Sequence, residues 1–263
     1  MNVMLLTDLE GISGITDIGY MDRSSEKYRE GCQMLEDTIN FVGKTCIEAG
    51  VEKVYYLDGH GGGGNVNPSN IDSYIKKVSL IEWQELLKMG EIDCQFEIGA
   101  HAKAGTIGGF LDHTISSRHC FKHKINDKEV GEVELHAILC GAYDVPVVLC
   151  SGDDIVCEQV ANSIPGIYTA PIKKSNKRNL CEDKKDGFDI LKKAVEEAIL
   201  GYNEIKPIKI SLPFTVSITY YRSDMCEEIY ERCSGNVRRV DARTLEKEID
   251  KIVGYNDLKI YNF

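Results

Sequence analysis

Apolar positions along the chain alternate between short continuous runs and longer stretches of helical spacing. Residues 3–6 form an apolar run short enough for a buried strand. The run ends in a glycine-punctuated loop, Thr7-Asp8-Leu9-Glu10-Gly11-Ile12-Ser13-Gly14. Ser24 and Ser25 are N-cap candidates for a helix reaching residue 49, with Gly50 just past its end. A second strand is predicted over 51–57, ending at Asp58-Gly59-His60 and the glycines 61–64. This is a βαβ pattern. A third strand is predicted over 94–100 and is followed at once by His101. Helical spacing over 130–142 rests on Val130, Val133, Leu135, Ile138 and Leu139. An apolar strand over 145–150 then leads through Gly152-Asp153-Asp154 to a helix ending near 163.

Between these elements the pattern is weaker. A short polar helix is expected over 68–77, a strand over 77–81, and a hairpin around Asn126-Asp127-Lys128. Toward the C-terminus, 186–202 is an amphipathic helix and 208–221 alternates like one long strand or two short ones. Short helices over 227–233 and 244–253 flank a strand near 237–240. Together these features predict an α/β fold, an open and mostly parallel sheet flanked by helices, with a smaller C-terminal α+β subdomain. The division expected is 1–204 for the core and 205–263 for that subdomain, which is a candidate for subunit contacts.

Composition narrows the function classes. At 263 residues, 43% hydrophobic and 28% charged, the chain is an ordinary globular length and mixture. Its net charge of −11 argues against nucleic acid or an anionic membrane as partner. There is no signal-like leader and no apolar run long enough for a bilayer, so a cytoplasmic protein is expected. The ten cysteines contain no C-x-x-C pair and sit mainly in apolar runs such as Ile138-Leu139-Cys140, which predicts reduced, buried thiols rather than metal or catalytic ones.

The candidate chemistry lies at the strand ends. Asp8 and Glu10 are two apart, so in an extended chain both carboxylates share a face. His60 and His101 follow the next two strands, and Glu132 opens a later helix. The C-terminal edge of an open α/β sheet is where such side chains converge on a ligand. Two imidazoles and three carboxylates suit zinc, or less selectively manganese or cobalt. With five donors, two ions would each reach three protein ligands only if one carboxylate bridged, and Asp8 is the natural bridge. Two ions about 3.5–4 Å apart can act together on a substrate carbonyl and an attacking water.

Each group also has an ordinary structural use. The glycines after His60 lack the Gly-Lys-Ser/Thr ending of a phosphate loop. His119 and His123 read as surface or sheet-face histidines. His136 shares a helix face with Glu132 and would support it or simply pack, and Asp153 and Asp154 read as helix caps.

Six motifs occur in order: Thr7-Asp8-Leu9-Glu10-Gly11-Ile12-Ser13-Gly14, Asp58-Gly59-His60-Gly61, Gly99-Ala100-His101-Ala102-Lys103-Ala104-Gly105-Thr106, Phe110-Leu111-Asp112-His113-Thr114, Asn126-Asp127 with Val130-Gly131-Glu132, and Ser151-Gly152-Asp153-Asp154. Over about 1–175 this series resembles the dinuclear-zinc D-aminopeptidases, the DppA-like peptidases. The resemblance implies that Asp8 bridges two zinc ions, with Glu10 and His101 completing one site and His60 and Glu132 the other. It places His113 at the family's catalytic position, where the residues themselves allow nucleophile, general base or general acid. It implies release of N-terminal residues, often D-amino acids, from short peptides, and assembly into a decameric ring. The family often has proline at the position of Ile107 and arginine at that of Lys103, departures that bear on substrate choice and leave every expected ligand in place. The other readings the residues permit are a metal-dependent phosphoesterase and a non-catalytic peptide-binding relative.

Overall fold

β1 (Asn2–Thr7) is the strand against which the rest of the larger sheet is laid down. The computed structural model describes residues 1–233 and 235–260. In chain order, β1 is followed by α1 (Glu26–Glu48), β2 (Lys53–Asp58), β3 (Ile75–Lys77), α2 (Leu80–Met89), β4 (Cys94–Ala100), β5 (Cys120–Ile125) and β6 (Lys128–Glu129). Then come α3 (Glu132–Ala142), β7 (Val147–Asp153), α4 (Asp154–Ser163), β8 (Tyr168–Lys177), β9 (Leu180–Asp183) and α5 (Gly187–Gly201). The last elements are β10 (Phe214–Tyr220), α6 (Ser223–Arg232), β11 (Val237–Arg239) and β12 (Thr244–Ile249).

Seven strands form the main sheet in the order β3-β2-β1-β4-β7-β8-β9, all parallel except β9. Strand alternation sends Val3 and Leu5 to one face, where they pack with Leu35, Ile39 and Val42 of α1 and Leu191 and Val195 of α5. Met4 and Leu6 face the other way, onto Trp83 of α2, Leu135 and Leu139 of α3 and Val156 of α4. Burial on both faces is why β1 is an unbroken apolar run rather than an alternating one.

The smaller sheet has the order β11-β12-β10-β5-β6 and is antiparallel. Phe214, Val216, Ile218 and Tyr220 alternate inward from β10 into the same core as α3. The α/β architecture with a second, smaller sheet is therefore present. The division expected at 204/205 runs through the pairing of β10 with β5, so the C-terminal segment shares its sheet with residues 120–129. Ser234 and the last three positions of that segment lie outside the described residues.

Several local expectations change. The helix expected over 68–77 is a single 3-10 turn, Pro68–Asn70, followed by β3. The strand expected over 77–81 gives way to α2, whose first turn is fixed by a capping box between Ser79 and Glu82. Thr244–Ile249 is a strand rather than the start of a helix, held on both sides by β10 and β11. The hairpin β8–β9 was not anticipated. None of the ten cysteines is in a disulfide, and eight of them are buried, in keeping with their apolar settings.

Candidate metal centre

Register brings the strand ends together. Thr7, the last residue of β1, pairs with Asp58 of β2 and Ile98 of β4. Asp8 thus leaves the sheet beside the turn that carries His60 and the end of β4 that carries His101. The loop after β1 lies tight on β4: the Asp8 and Gly11 amides donate to the Ile98 and Gly99 carbonyls at 2.8 and 2.7 Å. A Cβ on Gly11 would stand 2.3 Å from the Ala100 carbonyl oxygen, so glycine is what permits this approach.

His60 is set by the turn behind it. The Asn65 side chain donates to Asp58 and to the His60 carbonyl, both at 2.7 Å, and Tyr28 donates its hydroxyl to Asn65. The Nδ1 of His60 then lies 3.0 Å from both Asp8 Oδ1 and Glu10 Oε2. Glu132 is the first residue of α3, and its Oε1 accepts the Ile115 amide at 2.7 Å. Ile115 reaches this position with φ of 62°, a left-handed conformation that turns its N–H toward the carboxylate.

The remaining two rings are oriented by main-chain carbonyls. Nδ1 of His101 lies 3.1 Å from the Ala102 carbonyl, and Nδ1 of His113 lies 2.8 Å from that of Leu111. Because a carbonyl only accepts, each Nδ1 donates its proton there, and each Nε2 is the nitrogen that faces the cluster. His101 Nε2 is buried without a hydrogen bond, although Asp8 Oδ2 and Glu132 Oε1 stand 3.4 and 3.3 Å away. His113 Nε2 is 4.0 Å from Glu10 Oε1 and 3.7 Å from Glu132 Oε1.

Three sets of donor atoms close enough for one ion result: Asp8, Glu10 and His60; Asp8, His101 and Glu132; Glu10, His101 and His113. Asp8 belongs to two of them. All five side chains expected as ligands, together with His113, lie in this one cluster. Glu10 and His101 share a set with His113 and without Asp8, and His60 and Glu132 share none; His60 lies 3.0 Å from both Asp8 and Glu10, and His101 lies 3.3 Å from Glu132.

Electrostatics and donor chemistry fit a cation. Burial works against charging His60, yet Glu10 and Asp8 outweigh it and push its pKa up to about 11. Burial also opposes charge on His101, which Glu132 and Asp8 nevertheless raise well above the ordinary histidine range. Burial would raise Asp8, but contacts with His101 and His60 hold it well below the carboxylate range. Three carboxylates this close demand positive charge, which protons on the imidazoles supply in the absence of a metal. The orphaned Nε2 of His101, aimed between two carboxylates, is the atom that a metal ion would satisfy.

Beneath the cluster, a water-sized cavity of about 10 Å³ is lined by Asp8, His101, Glu132, Glu97 and His136. His136 meets Glu97 at 3.1 Å, so it supports the site from below rather than joining it. His123 is buried in β5 opposite Ile218 and belongs to none of these donor sets, and His119 meets Ser116 at 2.9 Å. Asp153 caps α4 by accepting the Ile155 and Val156 amides. Asn65 and Lys173, which shape the loops of the site, carry no motif that sequence reading could have separated from ordinary loop and strand residues.

Comparison with known proteins adds three findings. The model of a peptidase family described as D-aminopeptidase matches residues 1–256. A D-aminopeptidase of Bacillus subtilis (strain 168) is 27% identical over 219 residues, covering 79% of this chain and 77% of the relative. Among solved structures, the Zn-dependent D-aminopeptidase DppA from Bacillus subtilis, described as a self-compartmentalizing protease, superposes with a TM-score of 0.90 at 22% identity. That match covers 98% of this chain and 95% of the other.

Proposed function

The chain belongs to the D-aminopeptidase family, and from that premise we propose that its strand-end cluster is a dinuclear metal centre at which N-terminal residues are released from short peptides. It is a peptide hydrolase by family, and a phosphoesterase reading has no support in the match. The observation that carries the metal proposal is the pair of donor sets sharing Asp8, with His101 Nε2 left unsatisfied between carboxylates.

Asp8, Glu10, His60, His101 and Glu132 would hold two zinc ions, Asp8 contacting both; manganese or cobalt suits the same donors less selectively. When bound, the ions would supply Lewis acidity toward the scissile carbonyl and toward the attacking water. The residues provide the rest. His113 is partly exposed, so substrate can reach it. Its ring is pinned through Nδ1 to the Leu111 carbonyl, which leaves Nε2 as the nitrogen that attacks or transfers a proton. Glu10 and Glu132 flank that nitrogen and would stabilise positive charge developing on the ring. D-residues are the N-terminal class proposed, in keeping with the family.

We further propose a homo-oligomer, a decameric ring by resemblance, with the 205–263 segment contributing to it. In support, the Bacillus subtilis protein is called self-compartmentalizing. No helix among the described residues is long and apolar enough to cross a membrane. Ten cysteines with no disulfide among them favour a reducing, cytoplasmic compartment.

Chelation followed by zinc return tests the central reading. Hydrolysis of D-alanyl dipeptides should vanish with the metal and reappear with it; undiminished hydrolysis by the metal-free protein would overturn the proposal.

A further inference from the structure

We propose that Lys173 is a positioning residue of the metal centre, holding the loop that carries Glu10 in a metal-ready shape before any ion binds. The inference rests on the reading of the strand-end cluster as a metal site. It starts from a side chain that the chemistry described so far does not use.

Lys173 lies in β8 and is fully buried. A buried ammonium costs several kcal/mol unless its donors are satisfied. Here all three are, and all by one loop: Nζ donates to the carbonyls of Glu10 at 2.9 Å and Ile12 at 2.8 Å, and to that of Ile15. An ammonium has three N–H donors and no acceptor, so three carbonyls converging on it match its capacity. Asp153 stands opposite Lys173 in the sheet register and supplies neighbouring negative charge. The loop over residues 10–15 is therefore wrapped around a fixed cation, and its first carbonyl is that of Glu10, whose carboxylate reaches His60.

The same ammonium lies 4.9 Å from the ring centre of Phe110, three residues before His113. Other contacts from the hairpin reinforce both loops. Asp183 accepts the Gly14 amide at 2.6 Å, and the Cys181 amide donates to the Thr16 carbonyl at 3.0 Å. On the His113 side, the Arg178 carbonyl accepts the Leu111 amide at 2.6 Å, and the Arg178 guanidinium pairs with Asp112 at 2.9 Å. The β8–β9 hairpin thus backs the Glu10 loop and the His113 loop together, with Lys173 at the point where they meet.

Removing the cation would take the shared donor from three inward-turned carbonyls, leaving Ile12 only the Ile15 amide and Ile15 only the Cys181 thiol, so the loop would reorganise and take Glu10 with it. The test is zinc affinity, measured by competition with a chromophoric chelator on the full-length wild type, Lys173→Met and Lys174→Met, with near-ultraviolet circular dichroism on each. Lys174 is the exposed neighbour on the same strand. Folded Lys173→Met should bind zinc about 10- to 100-fold more weakly, and Lys174→Met should match the wild type. Wild-type affinity in a folded Lys173→Met overturns this inference and leaves the metal reading intact; a wild type that takes up no zinc overturns both. If Lys173→Met does not fold, hydrogen exchange on the metal-free wild type decides. Slow exchange of the Gly11, Gly14 and Ile15 amides without zinc upholds a pre-set loop, whereas exchange that slows only on adding zinc contradicts it.

Discussion

The imidazole rings of His101 and His113 stack with centroids 3.8 Å apart and planes within 10° of parallel. The two rings come from different places: His101 follows β4 directly, while His113 sits twelve residues on, at the far side of a glycine-rich loop. Each is pinned through Nδ1 to a backbone carbonyl, so the stack turns both Nε2 atoms toward Glu132, with Asp8 beside that of His101 and Glu10 beside that of His113. One ring is buried and suited to a metal; the other is partly open and suited to substrate.

That division predicts separable losses. His113→Ala should lower kcat by about 10²- to 10⁴-fold while the protein keeps its zinc. Steady-state kinetics and atomic absorption on the same sample check it. Full activity in the variant would remove His113 from the chemistry, and loss of zinc would make it a ligand instead.

Asp8 and Glu10 each belong to two donor sets, but Asp8 alone shares one set with His60 and another with His101 and Glu132, whereas Glu10 approaches His60 on one side and His113 on the other. Asp8→Ala should empty both zinc positions, and Glu10→Ala should chiefly weaken one. Metal content after dialysis separates the two outcomes. Both ions retained in Asp8→Ala would refute the shared-ligand role.

Gly99 has φ of 81°, and a Cβ there would lie 2.2 Å from the Asp8 carbonyl oxygen. Gly99→Ala should cost about 1–3 kcal/mol in urea unfolding and should also weaken zinc binding, since relief of the clash moves Asp8. An unfolding midpoint equal to that of the wild type would show that the loop gives way freely.

The strand-end residues were legible because each directly follows an apolar run, and the rule that strand ends converge is general. Asp8, Glu10, His60 and His101 came from that rule, and His113 from the ordered motifs. What stayed hidden depends on partners distant in sequence. β5 pairs with β10 across about 90 residues, and nothing in either strand names the other. Thr244–Ile249 carries Leu245 and Ile249 four apart, a helical spacing, and becomes a strand because β10 and β11 hold it. The hairpin 168–183 is rich in lysine, and only the fold shows that Lys173 is turned inward. For α2 a signal existed: Ser79 and Glu82 form a capping box, which outweighs the apolar pair Leu80-Ile81 that suggested a strand.

His123 gives a prediction for the pH dependence of stability. Its burial in β5, partly offset by the Leu258 backbone, lowers its pKa to about 4. Unfolded histidine titrates near ~6.5, so between those values the unfolded chain binds the extra proton. Stability should therefore fall as pH drops through this window and be unaffected by His123 above it. The full loss is on the order of 3 kcal/mol. Urea midpoints for wild type and His123→Leu, compared from pH 7 to pH 4, should diverge in slope; parallel curves would contradict a neutral buried His123.

The most direct test of a dinuclear metallo-aminopeptidase is a zinc titration of the metal-free protein, with hydrolysis of a D-alanyl dipeptide recorded at each addition. The account predicts negligible activity at the start and saturation at two equivalents per chain. Full activity before any zinc is added, or saturation at a single equivalent, would contradict it.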